Sequence, residues 1–473
     1  MANSKLFKNT VFYSIGEILP RALNFILLPV YTKYLSPTDY GINSYAHTII
    51  LFLYVLGAFS LNSYVLRYYF IHDNEEERKS LIGTAQLAII MLNAVILSLA
   101  FLLMPGIISS YSIQVPWEPY FRLAFIINFL DSFSVIPLVV YRVRQEAIKF
   151  VLLGFSRTLF TVILTVYLLI VEHRGLLGTF QAQLYIYLPY TFIYLVILNR
   201  YGRWHINLDY LKEGLKYATP LIPGAIGYIF LSMSDRIILE RHVGMDELGI
   251  YNVACSMAIV LNVIIQSGYK AIEPELFRRF GNEGFFEFVR KSQGVFFSVI
   301  YISAMALSLF SQEVFNMMTT DSFHKGYILV PALVVGVIMT GQNVIYGGIL
   351  GGECRTKVIG IATIIGAVVS VIFNLCFVPY WGTYAAAVAS AVSFFVMNTI
   401  LFHTMTFPGK TMMRELFLII LVPIISYCIF SIFGDVSVVG VIIKLIAISI
   451  YSLLAFQLMN VDIKHAKSLI LKK

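Results

Sequence analysis

The chain has 473 residues, 59% of them hydrophobic and only 13% charged, with a mean hydropathy of +0.80. Soluble domains carry roughly 25% charged residues, so the composition excludes a soluble globular protein. The net charge of +8 then belongs to loops at a membrane surface and does not point to nucleic acid.

Runs of about 20 apolar residues, enough to cross a bilayer as a helix, recur along the whole chain. In order they are 9–34, 41–69, 80–103, 118–141, 150–171, 176–198, 214–235, 248–269, 292–310, 327–350, 358–378, 383–403, 415–433 and 438–459. No short cleavable h-region precedes the first, so it reads as retained. No hydrophilic segment is long enough for an extramembrane domain. The expectation is an all-α polytopic membrane protein with fourteen transmembrane helices. The segment 273–292, alternating aromatic and charged residues, reads as an interfacial helix. Cys255, Cys354, Cys376 and Cys428 lack metal-ligand spacing, and they read as small core residues.

Lysine and arginine in the loops set the orientation. With the N-terminus inside, 24 of the 34 basic residues fall in inner segments and five in outer ones: Lys33, Arg174, Arg236, Arg241 and Lys325. That asymmetry places both termini in the cytoplasm and requires an even number of spans.

Residues 35–46, LSPTDYGINSYA, are echoed at 243–254, VGMDELGIYNVA. A shift of 208 residues aligns Gly41 with Gly249, Ile42 with Ile250 and Ala46 with Ala254, and sets Asp39 opposite Glu247. Six spans separate the two strings, so both face the same side. This predicts two pseudo-symmetric six-helix bundles, 1–205 and 206–408, as a parallel repeat, with helices 13–14 and a tail at 409–473. Transport sites lie between such halves.

Ionisable residues within spans mark functional candidates, since each costs about 2.5–3.5 kcal/mol at a helix centre. In the first span, Thr10, Ser14, Glu17, Arg21 and Asn24 recur at helical steps and form one polar face. Pro20, Pro220 and Pro223 could bend spans 1 and 7. The second span carries Asn62, Ser63 and Arg67; the fourth, Asn128, Asp131 and Ser132; the fifth, Arg157 in line with Gly154, Thr161 and Thr165. Asp235 ends the seventh beside Arg236. Glu17 and Arg21 could neutralise each other, and Asp131 could pair with an arginine. Arg122 and Lys444, near outer ends, read as interfacial anchors. Gln342, Asn343 and Tyr346 in the tenth span could bind sugar hydroxyls or pack helices. Spans 8–12 contain no Asp, Glu, Lys or Arg in their apolar stretches, so intramembrane charge belongs to the first half and is net positive.

The strings PRALNFILLPVYTKYLSPTDYG, LNSYVLRYYF and TPLIPGAIGYIFLSMSDRIILERHVGMDELGIYNVA resemble the openings of the two halves of Wzx-type flippases. These are the oligosaccharidyl-lipid and polysaccharide branch of the multidrug/oligosaccharidyl-lipid/polysaccharide exporter superfamily. The resemblance covers nearly the whole chain. It implies a flippase, not an enzyme, that carries undecaprenyl-diphosphate-linked oligosaccharide repeat units from the cytoplasmic to the periplasmic leaflet of a bacterial inner membrane. A polysaccharide polymerase would be its partner in such a pathway. On this reading Arg21, Arg67 and Arg157 bind the diphosphate, through bidentate, charge-assisted bonds. Asn24, Gln342 and Asn343 are the sugar candidates. No cofactor is implied. A proton or sodium gradient could drive the cycle, and Glu17 and Asp131 are the coupling candidates. Asp235 and Arg236 are expected at the outer gate or the helix 7–8 turn. The alternatives are a drug/cation antiporter of the same superfamily, disfavoured by the excess of arginine, and a membrane polysaccharide polymerase, disfavoured by short outer loops without an acid–base pair.

Overall fold

A computed structural model describes Leu23 and residues 25–72, 74–111, 113–406, 412–434 and 436–461. Glu17, Arg21 and Asn24 lie outside the described residues, as does most of the first predicted span. Among the described residues, eleven helical segments are long and apolar enough to cross a membrane. Their outward faces are apolar, with Leu102 76% and Leu453 70% exposed, as lipid-facing side chains must be. The chain divides into two compact units, Met1–Ile229 with Gly244–Gly249, and Phe230–Val243 with Ile250–Lys473.

Unit 1 begins with α1 (Leu28–Tyr34) and α2 (Pro37–Ala58). Ser36 caps α2 by accepting from Asp39 N, while the Asp39 carboxylate accepts from Ser36 N, and Pro37 opens the first turn. Such a reciprocal cap satisfies two amide groups that the helix leaves unpaired. The predicted second span is broken at Phe59 and Ser60, both at positive φ, before α3 (Leu61–Tyr68). Then follow α4 (Glu75–Tyr111), α5 (Arg122–Asp131), α6 (Val135–Val143), α7 (Ala147–Ile170), α8 (Gly175–Tyr201) and the short amphipathic α9 (Leu208–Ala218). Asn128 Nδ2 of α5 donates to Asn93 Oδ1 of α4 at 3.4 Å. Such amide contacts join helices where apolar packing alone gives no preference over lipid. Leu61, Tyr64 and Val65 pack with Leu81, Ile82, Ile136, Val140 and Leu198 in one core. Tyr64 OH, also in that core, donates to Glu213 Oε2 of α9 at 2.8 Å.

The long α10 (Ile222–Arg279) is interrupted at Gly244, with φ 83° and ψ 172°. α14 (Thr356–Thr404) is interrupted at Gly382, with φ 53° and ψ −131°. Both conformations are strained for any residue with a Cβ, so each glycine divides one apolar stretch into two helices. The first half of α10 runs to Val243, so Arg236 and Arg241, expected in an outer loop, are helical. Its second half reaches Arg279, and α11 (Phe285–Leu309) starts after a short turn. The segment 273–292 is therefore the ends of two long helices, not a separate interfacial one. Unit 2 continues with α12 (Ser311–Met318), α13 (Val330–Gly352), α14, α15 (Met412–Ile432) and α16 (Val438–Leu458).

The last two helices are fastened to unit 2. Lys444 of α16, expected as an outer anchor, is 3% exposed and pairs with Glu313 of α12 at 2.6 Å. Gln312 Nε2 donates to Gly434 O at 2.9 Å, and Tyr427 OH donates to Ile328 O at 3.1 Å. Arg122 is half-exposed and paired with Glu118, one turn away, at 2.7 Å. Of the four cysteines only Cys255 is buried. The other three are exposed, which corrects their reading as core residues.

Candidate functional site

The polar centre of unit 1 is built where α5 ends. A 3₁₀ turn, Ser132–Ser134, separates α5 from α6 and brings Ser134 Oγ within 3.1 Å of Asp131 Oδ1. The same carboxylate oxygen accepts from Arg157 Nη1 of α7 at 2.5 Å. The Arg157 guanidinium lies over the Tyr187 ring of α8, 4.6 Å from its centroid. Tyr190 OH donates to Ser156 Oγ at 2.6 Å beside it. The two residues assigned separate roles, phosphate ligand and coupling carboxylate, thus form one ion pair. Their side chains are 18% and 27% exposed, so the pair is largely interior. One of the five donors of Arg157 is on Asp131, and a guanidinium can hold a second anion through another edge.

Arg67 sits in different surroundings. It is exposed in the last turn of α3, with its guanidinium 5.6 Å from the Tyr217 ring. That ring packs edge-on against Tyr68.

In unit 2, Gln342 and Asn343 of α13 are engaged by protein groups. Gln342 Nε2 donates to Glu415 Oε2 at 2.6 Å, and Tyr346 OH donates to the same oxygen at 2.8 Å. Asn398 Nδ2 reaches Gln342 Oε1 at 3.4 Å, and Asn343 Nδ2 reaches Asn398 Oδ1 at 3.3 Å. Gln342 is 4% exposed and Glu415 2%. This geometry favours the helix-packing role of the tenth span over sugar contact. Glu415 escaped the sequence reading because it sits at the very start of an apolar run, where a carboxylate looks interfacial.

Asp235 and Arg236 are also interior, at 8% and 6% exposed. Arg236 Nη1 donates to Asp235 Oδ1 at 3.0 Å, and Tyr251 OH donates to Asp235 Oδ2. They lie two turns before the Gly244 break, so they brace the two arms of α10 instead of sitting in the turn. An apolar cavity of about 550 Å³ elsewhere in unit 2 is lined by residues including Ile328, Val335, Val388 and Pro423. Its polar groups are the hydroxyls of Tyr384 and Tyr427, and the latter donates to Ile328 O at 3.1 Å.

The two echoed strings meet inside unit 1. Thr38 Oγ1 donates to Asp246 Oδ1, 208 residues on. A Cβ added to Gly41 would lie 2.0 Å from Met245 O, and one added to Gly249 would lie 1.8 Å from Pro37 O. The contacts are reciprocal under the shift that aligns the strings. Each glycine makes room for the backbone at the start of the other helix.

The family described as "Polysaccharide biosynthesis protein" matches residues 6–278, more than half of the chain. "Lsg locus putative protein 1" of Haemophilus influenzae (strain ATCC 51907 / DSM 11121 / KW20 / Rd) is 23% identical over 281 residues, which is 57% of this chain and 65% of that protein. An "Uncharacterized membrane protein" of the same strain is 24% identical over 283 residues, 58% and 66% of the two chains. The chain thus spans slightly less than two thirds of the length of these curated relatives. Among solved structures, "Lipid II flippase MurJ, inward closed conformation" superimposes with a TM-score of 0.74 at 13% identity, covering 94% of this chain and 99% of that one. An inward-facing multidrug resistance MATE family transporter of the MOP superfamily gives 0.66 at 12% identity, covering 86% and 98%. At such identities the likeness is one of fold. A chain with many apolar helices and the MurJ- and MATE-like fold is a multi-pass membrane protein, and by its sequence it belongs to the polysaccharide biosynthesis protein family.

Proposed function

We propose that the protein is a flippase for undecaprenyl-diphosphate-linked oligosaccharide repeat units of O-antigen, capsule or exopolysaccharide, working by alternating access with both termini cytoplasmic. The observation that carries this reading is the intramembrane Arg157, held over Tyr187 and balanced by Asp131 within unit 1. A diphosphate crossing an apolar region needs counter-charge, because burying an unpaired anion is prohibitive. Arginine supplies a charge that does not titrate at any relevant pH. Asp131 keeps that charge paired while no substrate is bound, and it makes binding an exchange of one anion for another. Exchange keeps affinity moderate, which release on the far side demands. Arg21 and Arg67 are the further diphosphate candidates, with Asn24 for the sugar. The meeting of Pro37–Gly41 with Gly244–Gly249 serves as the outer gate, parting when the substrate leaves.

The test follows lipid-linked repeats in cells, with protein level as the control. Arg157→Ala should leave repeats accumulated in the inner leaflet while the protein still inserts. Asp131→Asn should keep binding and slow release. Flipping by Arg157→Ala at the wild-type rate would remove the arginine from the mechanism. The MATE-like fold favours one rival, a drug/cation antiporter. Gradient-driven efflux of a cationic dye, with no defect in repeat translocation on deletion, would establish that rival.

A further inference from the structure

Three helix ends of unit 1 meet at one face: the end of α6, the start of α7 and the end of α8. Two tyrosine rings lie there, Tyr141 and Tyr201, with centroids 6.5 Å apart. Three cations gather on them. The Arg144 guanidinium is 4.7 Å and that of Arg200 is 5.4 Å from the Tyr201 centroid, and Lys149 Nζ is 5.9 Å from that of Tyr141. Arg142, next in sequence to Tyr141, is exposed. Two carboxylates answer this charge. Glu146 takes Lys149 at 2.6 Å and Arg144 at 3.4 Å, and Glu75 takes Arg144 at 3.3 Å. Among the described residues, Arg200 has no carboxylate within ion-pair distance and rests on the aromatic face alone. The cluster keeps a net positive charge.

What lies below Arg200 points to its ligand. Leu188, Phe192, Val196 and Arg200 follow at steps of four along α8, one row of the helix surface. The three apolar members are 43%, 70% and 69% exposed. α8 is long and apolar enough to span the membrane, so this row faces acyl chains and ends in an unpaired guanidinium. A lipid lying along it brings its headgroup to Arg200. Arg142 and Arg200 also stand in last turns, where a cation complements the helix dipole. That role alone would give no preference among lipids.

We propose that the Tyr141–Tyr201 ledge, with Arg200, Arg144 and Lys149, binds the phosphate headgroup of an anionic bilayer phospholipid. An arginine on an aromatic face is pre-ordered for phosphate. The excess charge selects a headgroup without its own amine over a zwitterionic one. The site does not depend on the transported substrate.

Purified full-length protein in detergent would be given phosphatidylglycerol or phosphatidylcholine, and retained lipid measured by native mass spectrometry. Wild type should retain phosphatidylglycerol preferentially. Arg200→Ala and Lys149→Ala should each lower that preference roughly fivefold, the fold-change matching about 1 kcal/mol per basic residue at an anionic surface. Arg122→Ala, a membrane-edge arginine elsewhere, should leave it unchanged. Equal retention of both lipids by wild type, or an undiminished preference in the Arg200→Ala/Lys149→Ala variant, overturns the proposal. Displacement of the lipid by millimolar inorganic phosphate also overturns it, by making the site one for a soluble anion.

Discussion

Adding one methyl group at Gly249 should keep Pro37–Gly41 and Gly244–Gly249, the meeting proposed as the outer gate, apart. Its carbon would lie 1.8 Å from Pro37 O and 2.7 Å from the Pro37 carbonyl carbon. A comfortable C···O approach is about 3.3–3.6 Å, so the overlap exceeds an ångström, and the obstacle is backbone. Overpacking of a well-packed contact costs about 1–3 kcal/mol. A backbone neighbour that cannot rotate away puts this site at the upper end. Three kcal/mol is a shift of about a hundredfold in the balance between closed and open. Cysteines replacing Thr38 and Asp246, whose side chains touch when the segments meet, report that balance through their cross-linking rate in membranes. Gly249→Ala should slow cross-linking by tenfold or more, and Gly41→Ala should do the same through Met245 O. Once the segments have parted, the second methyl meets nothing, so the two substitutions together should act like one. Unchanged cross-linking in either variant, at equal expression, would refute the reasoning.

Lys444→Met should lower stability by about 3 kcal/mol, because it leaves the Glu313 carboxylate without its cation in a largely dry setting. Adding Glu313→Gln should restore much of it, as thermal unfolding in detergent would reveal. Glu146 lies between α6 and α7 and sets an acid limit. Burial would raise its pKa, but the Lys149 ammonium and the Arg144 guanidinium outweigh that and hold it below the usual carboxylate range. Its contribution is therefore full above the unfolded value of about 4.3 and is lost as pH falls through the folded value. Glu146→Gln should flatten the fall of the unfolding midpoint between about pH 5 and pH 3.

Apolar runs made most helices legible in the sequence, because crossing lipid demands long unbroken stretches of one chemistry. The breaks were legible only in part. Gly244 and Gly382 announce themselves, whereas the bend at Phe59 and Ser60 uses residues that elsewhere continue helices. Periodicity places a polar residue on a face but does not name what that face meets. Asp131 and Arg157 stood out as charges in lipid, and their pairing came only from α5 and α7 lying side by side. Lys444 looked like an anchor because Glu313, its partner, is 131 residues away in sequence. Gln342 and Glu415 were hidden from each other by 73 residues. The register of the glycine echo was legible, since close backbone approach leaves a mark at a fixed offset.

The path of α10 has a further consequence for how such chains can be cut and recombined. The chain leaves unit 1 at Ile229, returns to it for Gly244–Gly249, and leaves again. A half-chain ending at Ile229 would lack the six residues that occupy its own surface, leaving Gly41 uncovered and Thr38 without Asp246. Exchanging unit 1 between two relatives therefore needs three junctions, after Ile229, Val243 and Gly249, so that the six-residue insert travels with it. A single crossover near the middle of the gene would pair one parent's Pro37–Gly41 with the other parent's Gly244–Gly249. Substitutions in these two short strings are thus expected to be inherited together, as a lock is with its key.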